Sequence, residues 1–454
     1  MHTLDQLKSG SLFGITRLQL AEGLLEFPLE ILELSETLEV LDLSNNNISA
    51  LPDDFGRLKQ LKILFMANNK FDHLPEVLSQ CPNLEMIGFK SNQIKTVSEQ
   101  SLPEQTRWLI LTNNQIKVLP DSMGKLHRLQ KLALAGNQIT RLPDSMANCK
   151  NLELARISAN QLTSLPDWLF QLPKLSWLAF QGNPLQAANE HNSHMSDSVT
   201  QVGLQDLALK EQLGEGASGV IYRAEWINQP ESLKDTSAFV AVKLFKGEVT
   251  SDGYPEDELK CCLSAGEHNN LIKVVAQISD EGQLGLVMEL IPDTYGNLGL
   301  PPSLVSCTRD TFKAGTQIEL KDIVEIVLQM SDAMAHLHSQ SVSHGDVYAH
   351  NTMVDSNASM LFGDFGAASD LSVLSVLQKE AMESIEIRAL GCLLDDLLKL
   401  SYSAHGEQAV ALKAALSELR DDCMQPSMGD RPRFSEVYKM LDTLVVVPEE
   451  ALTQ

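Results

Sequence analysis

The pattern L-x-x-L-x-L-x-x-N-x-L-x-x-L-P runs through the first half of this chain and leaves few folds open to it. Its asparagine returns as Asn46, Asn69, Asn92, Asn114, Asn137, Asn160 and Asn183, at intervals of 23 residues with a single interval of 22. The cleanest unit contains Leu38, Leu41, Leu43, Asn46, Ile48, Leu51 and Pro52; a degenerate one precedes it, with Ile15, Leu18, Leu20 and Leu25 in register and Gly23 in the asparagine place. In a short strand alternate residues point to opposite faces, so the leucines of L-x-L turn inward. The asparagine is expected to turn inward too, and to satisfy backbone groups that would otherwise be buried unpaired. One such unit cannot bury its own apolar face; stacked units share a continuous core.

Seven units in register resemble the leucine-rich repeat family over about residues 15 to 185. The resemblance implies a solenoid whose function lies on the concave face, in the columns between the leucines. One column reads Val40, Ile63, Met86, Trp108, Lys131, Leu154 and Trp177; the next includes Phe65 and Ile110. Phe65, Met86, Trp108, Ile110 and Trp177 are expected to form an apolar, solvent-facing patch that takes a protein substrate or regulator. The other occupant to weigh is the chain's own second half, because the connection is about twenty residues long, enough for the two to meet. From about residue 186 the pattern stops, and the polar run that follows reads as a cap and linker. His191 and His194 there have helical spacing but no further ligand nearby.

Composition bounds the rest. A chain of 454 residues exceeds one ordinary core, and a hydrophobic fraction of 43% excludes a mainly disordered protein. The formal charge of -25 is uneven, about -3 over the first 190 residues and about -22 over the remainder. So acidic a protein is poorly suited to nucleic acid or anionic membrane. No apolar stretch approaches the roughly 20 residues of a membrane helix, and the N-terminus lacks the basic-then-apolar run of a signal peptide. Cys81, Cys149, Cys261, Cys262, Cys307, Cys392 and Cys423 are scattered and odd in number, which suits reduced thiols and a cytoplasmic location.

The second half carries the chemistry. Gly214-Glu215-Gly216-Ala217-Ser218-Gly219 is a glycine-rich turn between apolar segments, a weak signal alone. After it come Phe239-Val240-Ala241-Val242-Lys243, then Glu258 in a helical stretch with Glu256 and Asp257 beside it, then Leu286-Val287-Met288-Glu289-Leu290. His344-Gly345-Asp346-Val347-Tyr348-Ala349-His350-Asn351, Asp364-Phe365-Gly366 and Gly429-Asp430-Arg431-Pro432 complete the order.

This ordered set resembles the protein kinases, and the chain as a whole resembles a leucine-rich-repeat serine/threonine kinase. It implies an α/β repeat solenoid followed by a bilobal α+β kinase-like domain, divided as residues 1–190, a linker 191–206 and residues 207–447. It implies ATP and Mg2+ as cofactors. Gly214, Gly216 and Gly219 would let backbone N–H groups approach the phosphates, and Lys243 would hold them with Glu258 as its ion-pair partner. Met288 and Glu289 would border the nucleotide at the hinge. Asn351 and Asp364 would coordinate metal, and Asp346 would accept the proton of the attacking hydroxyl. His344 is expected to pack beneath the Asp364-Phe365-Gly366 turn.

The chain departs from the family at Gly345, where many kinases carry an arginine that grips a phosphorylated activation segment. Tyr348 stands where serine/threonine kinases commonly have lysine. Only nineteen positions separate Asp364 from Glu383, and Glu386 and Arg388 replace the usual aspartate and tryptophan. Ser369, Ser372 and Ser375 are therefore expected in a solvated loop rather than as phosphorylation switches. The leading expectation is transfer of the γ-phosphate to a protein hydroxyl. The alternatives are a nucleotide-binding pseudokinase scaffold, which has no need of Lys243, Asp346, Asn351 and Asp364 together, and a small-molecule kinase, which has little use for a large concave surface.

Overall fold

The structure, a computed structural model, describes residues 1–185, 199–216, 218–247, 249–250, 252–280, 282–402 and 406–445. The chain forms two compact units: Met1–Leu175 with Gly182–Gln186 and Val249–Gly253, and Ser176–Gln181 with Ala187–Glu248 and Tyr254–Gln454. No helix among the described residues is long and apolar enough to cross a membrane. The histidines His191 and His194 and the linker residues 191–198 lie outside the described residues.

In the first unit every repeat contributes a three-residue strand, from Arg17–Gln19 and Val40–Asp42 through to Leu154–Arg156. Successive strands pair in parallel, one repeat apart: Leu41 opposite Leu64, Ile87 opposite Leu109. The central leucines are fully buried, as the alternation requires. The asparagines do what their place implies. Asn46 donates from Nδ2 to the carbonyls of Leu20 and Leu43, and its Oδ1 accepts from the N–H groups of Glu22 and Leu24. Asn69, Asn92 and Asn114 repeat the arrangement one turn further along each time. On the far side, the prolines of four L-P pairs, Pro52, Pro75, Pro120 and Pro143, stand extended just before a short 3-10 helix, and Pro166 stands so before the short α-helix Asp167–Phe170. Segment Val249–Gly253 belongs to this unit through Asp252, whose carboxylate takes Arg156 Nε at 2.6 Å.

The apolar columns partly depart from expectation. Phe65, Trp108 and Ile110 are half-buried, and Lys131 Nζ lies 4.4 Å from the centre of the Trp108 ring. Met86 and Trp177, however, are only 2% and 1% exposed and present no surface to an outside partner. At Trp177 the cover is local to the second unit, the ring of Tyr348. Strand alternation fixes which way a side chain points but not what covers it.

The second unit opens on a six-stranded sheet in the spatial order Leu207–Glu215, Gly219–Trp226, Phe239–Phe245, Gln283–Glu289, Val274–Asp280, Thr200–Val202. The last strand comes from the stretch read as linker and pairs in parallel with Val274–Asp280. Val202, Val240, Val242, Ile278 and Val287 pack together on one face. Helix Pro255–Ala265 lies in sequence between strands Phe239–Phe245 and Val274–Asp280. A mostly helical part follows, built on Leu320–Ser339, Val376–Lys399, Glu407–Cys423 and Phe434–Val445. The short segment after Gly366 runs straight into the 24-residue helix Val376–Lys399, capped by Ser375 in a capping box with Gln378. Ser375 is therefore a helix cap, and Ser369 is fully buried. For these two, the expected solvated loop is replaced by ordered structure.

Candidate active site

Lys243 sits near the end of strand Phe239–Phe245, whose β-branched residues suit a strand held between two neighbours: Lys243 pairs with Ile221 on one side and Leu286 on the other. Its ammonium forms an ion pair with Glu258, and both side chains are almost wholly buried. Of the three adjacent carboxylates, Glu256 is exposed and Asp257 half-buried, so helical spacing turns Glu258 alone inward. Burial works to lower the Lys243 pKa, but the carboxylates of Glu258 and Asp364 together outweigh it and hold the lysine above its ordinary value. Lys243, Glu258 and Asp364 thus form one electrostatic group drawn from a strand, a helix and a loop.

Asp364 itself is exposed, with a left-handed backbone (φ 64°), and its carboxylate accepts the Gly366 N–H at 3.3 Å. Asp346 and Asn351 are joined directly. Asn351 Nδ2 donates to the Asp346 carboxylate at 2.9 Å and to the Asp346 carbonyl at 3.1 Å, which leaves the amide oxygen out of both bonds. His350, between them in sequence, pairs with the buried Asp310 at 2.7 Å.

In the glycine-rich turn, Gly216 N–H donates to the Gly219 carbonyl at 2.9 Å, and Lys246 ties the tip through Glu215 and the Gly216 carbonyl. A Cβ at Gly219 would lie 2.5 Å from the Leu244 carbonyl, so that glycine is required by packing. At Gly214 and Gly216 a Cβ would meet nothing within 4 Å. Nothing in the protein itself demands glycine there, which fits a backbone left bare for a ligand's phosphates. Met288 is half-buried against the cluster of Phe245, Leu259 and Leu286. Glu289 closes its strand, its N–H donating to the Lys273 carbonyl and its carboxylate 3.5 Å from Lys273 Nζ.

His344 is fully buried, stacked on Phe362 and tilted against Phe365, and Nε2–H donates to the Gly363 carbonyl at 3.0 Å. Burial holds its pKa below the usual 6.5, outweighing the attraction of Glu386, Asp346 and Asp364. As pH falls, the unfolded chain takes up a proton near 6.5 that the native imidazole refuses. This group should therefore withdraw about 1.4 kcal/mol of stability per pH unit below that point. Melting curves between about pH 7.5 and 5.5 should be visibly less steep in pH for His344→Phe than for the wild type; equal slopes would contradict the buried neutral state.

Glu386 is the residue that sequence reading undervalued. It is completely buried, takes the Gly345 N–H at 2.6 Å and faces His338 Nε2 at 2.6 Å. A buried carboxylate inside an apolar helix is a visible signal; its partner, a backbone N–H forty-one residues earlier, is not. Gly345 has φ +74°, and a Cβ there would run into the Ala367 carbonyl and lie 3.1 Å from that of Leu178.

The remaining contact explains Trp177. Within this unit its indole stacks on the Tyr348 ring at 4.6 Å and 6°, and Nε1–H donates to the Val347 carbonyl at 3.1 Å. In the same strand-end segment, Phe180 N–H donates to Ser369 Oγ at 3.0 Å and Gln181 Oε1 accepts the Asp370 N–H at 2.9 Å.

Comparison with known proteins agrees with this arrangement. Residues 207–392 match the family described as protein tyrosine and serine/threonine kinase, and residues 36–94 and 104–162 match the leucine rich repeat. Fibroblast growth factor receptor 1 of Xenopus laevis is 26% identical over 314 residues, 60% of this chain and 38% of that protein. Its counterpart from Pleurodeles waltl is 25% identical over 320 residues, 61% and 39%. The NT-3 growth factor receptor of Gallus gallus is 29% identical over 199 residues, 42% and 23%. The chain thus spans two fifths or less of the length of these relatives. With the repeat ladder in one unit and the Lys243, Glu258, Asp364 group in the other, the chain joins leucine-rich repeats to a domain of the protein tyrosine and serine/threonine kinase family.

Proposed function

We propose that the protein is an ATP- and Mg2+-dependent protein kinase that transfers the γ-phosphate to a protein hydroxyl, on serine or threonine, in the cytoplasm. The observation that carries the reading is the buried Lys243–Glu258 pair coupled to Asp364, beside an Asp346 carboxylate held by Asn351. Lys243 would bind the α- and β-phosphates, Glu258 would keep it charged and aimed, and Gly214, Gly216 and Gly219 would approach the same phosphates from above. Met288 and Glu289 would border the base. Asp346 would orient the acceptor hydroxyl and take its proton.

The donor set suits magnesium. Among the described residues no group of three or more His, Cys, Asp or Glu could hold a metal alone. A carboxylate at Asp364 and an amide oxygen at Asn351 are two hard oxygen donors, the number Mg2+ uses when phosphates and water complete its shell. When bound there, the ion would neutralise phosphate charge. The repeats would recruit substrate or regulator through Phe65, Trp108 and Ile110; Met86 and Trp177 drop out of that surface because they are buried.

Incubating the purified protein with labelled ATP and Mg2+ and locating the label by mass spectrometry tests the reading. Label on serine or threonine, lost on chelation, is expected. Label confined to tyrosine would overturn the acceptor class. Nucleotide binding with no protein labelled would favour a pseudokinase scaffold.

A further inference from the structure

Trp177 lies thirty residues before the stretch that matches the kinase family, yet its indole stacks on Tyr348 and donates to the Val347 carbonyl, in the loop between Asp346 and Asn351. The bland account is that it is a core side chain of the last repeat. Its column argues otherwise. Inward positions of that repeat are Leu175, Leu178 and Phe180, whereas Trp177 stands in the intervening column occupied earlier by Val40, Ile63 and Lys131. Val40, Ile63, Trp108 and Lys131 are half-buried in that column, and Met86 and Leu154 are buried as Trp177 is; what sets Trp177 apart is its cover, the stacked ring of Tyr348 and the Val347 carbonyl that accepts its N–H.

We propose that Trp177 is a positioning residue for phosphoryl transfer, fixing the Val347–Tyr348 backbone and so the Asp346 and Asn351 side chains on either side of it. This rests on the kinase reading and deepens it, because it says what holds the loop in the absence of an arginine at 345. Asp346 and Asn351 are bonded to each other, so a shift of the two residues between them moves both. The same short segment pins the chain beyond Gly366 through Phe180 to Ser369 and Gln181 to Asp370. In kinases that carry the arginine, a phosphate on the activation segment supplies the link between these two regions. Here a neutral segment, Ser176–Gln181, supplies it by stacking and three hydrogen bonds, and no phosphorylation is needed. The segment that makes these contacts belongs to the same covalent chain as the loop, so the loop is held whenever the segment is in place.

The test uses the full-length chain and the variants Trp177→Ala, Trp177→Phe and Tyr348→Ala. Steady-state kinetics and hydrogen exchange at residues 345–351 are read for each. Trp177→Ala should lower kcat about a hundredfold, the usual cost of misplacing a reacting group by about an ångström, with KM for ATP moved less than about twofold. Trp177→Phe, which keeps a ring but loses the N–H, should lose only about tenfold and guards against misfolding of the alanine variant. Tyr348→Ala combined with Trp177→Ala should be no worse than either alone, since both remove one stack. Exchange at 345–351 should rise in Trp177→Ala and stay low in Trp177→Phe. Unchanged kcat in Trp177→Ala would overturn the proposal, as would equal losses of kcat, ATP binding and folded fraction. If the wild type transfers no phosphate, the kinase reading fails by itself, and unchanged exchange in Trp177→Ala would then overturn the positioning role.

Discussion

Lys243→Met is expected to abolish measurable phosphoryl transfer, a loss of about a thousandfold or more, because it removes the buried cation paired with Glu258. The variant should also be less stable. Glu258 is 4% exposed and would be left with no counter-charge, and breaking one side of a buried pair costs about 3 kcal/mol or more. These effects can be separated. In the double variant Lys243→Met with Glu258→Met, two apolar side chains of similar volume replace the pair, and such replacements are often neutral in stability. Its melting temperature should return toward that of the wild type while transfer stays absent. Recovery of both would show a pair kept for folding alone; recovery of neither would show that the strand and helix depend on it.

Gly345→Arg, which restores the side chain that the family usually has at this place, is expected to damage the protein. The backbone there has φ +74°, a conformation that costs a residue with a Cβ about 1–2 kcal/mol. The Cβ would also collide with the Ala367 carbonyl and crowd that of Leu178, so the loop must shift. That shift strains the bond from the Gly345 N–H to the buried Glu386 carboxylate. A combined loss of about 3 kcal/mol would lower the melting temperature of this unit by about 10 °C. Gly345→Ala should lose nearly as much, since the Cβ is the offending atom. Gly10→Ala is the control: Gly10 has φ +72° but open space around it, so only the conformational part should appear. A Gly345→Ala variant no worse than Gly10→Ala would refute the crowding argument.

The repeats were legible because their physics is local and periodic. A buried asparagine every 23 residues satisfies a bend that recurs, and neither the leucines nor the asparagines depend on distant parts of the chain. The candidate site was legible in a different way, as short motifs whose order is informative. Spacing alone left Glu256, Asp257 and Glu258 open, and only the direction each takes from its helix decided for Glu258.

What could not be read were contacts made at long range. Trp177 looks like an exposed concave-face residue because the repeat says where it points, while its neighbour Tyr348 lies 171 positions later. Ser369 looks like a loop serine until Phe180 is seen donating to it. The glycine at 345 was plain as a departure. Its cause, a left-handed turn closed in by two carbonyls and anchored on Glu386, needs coordinates.

The central claim is that Asp346, Lys243, Asn351 and Asp364 together carry out phosphoryl transfer. The most direct measurement compares wild type and Asp346→Asn for two quantities, affinity for ATP in the presence of Mg2+ and rate of label transfer to protein. Asparagine keeps the size of the side chain and removes the base. The account predicts ATP affinity within about threefold of the wild type and transfer reduced by at least about a hundredfold. Equal transfer by the two proteins would contradict it.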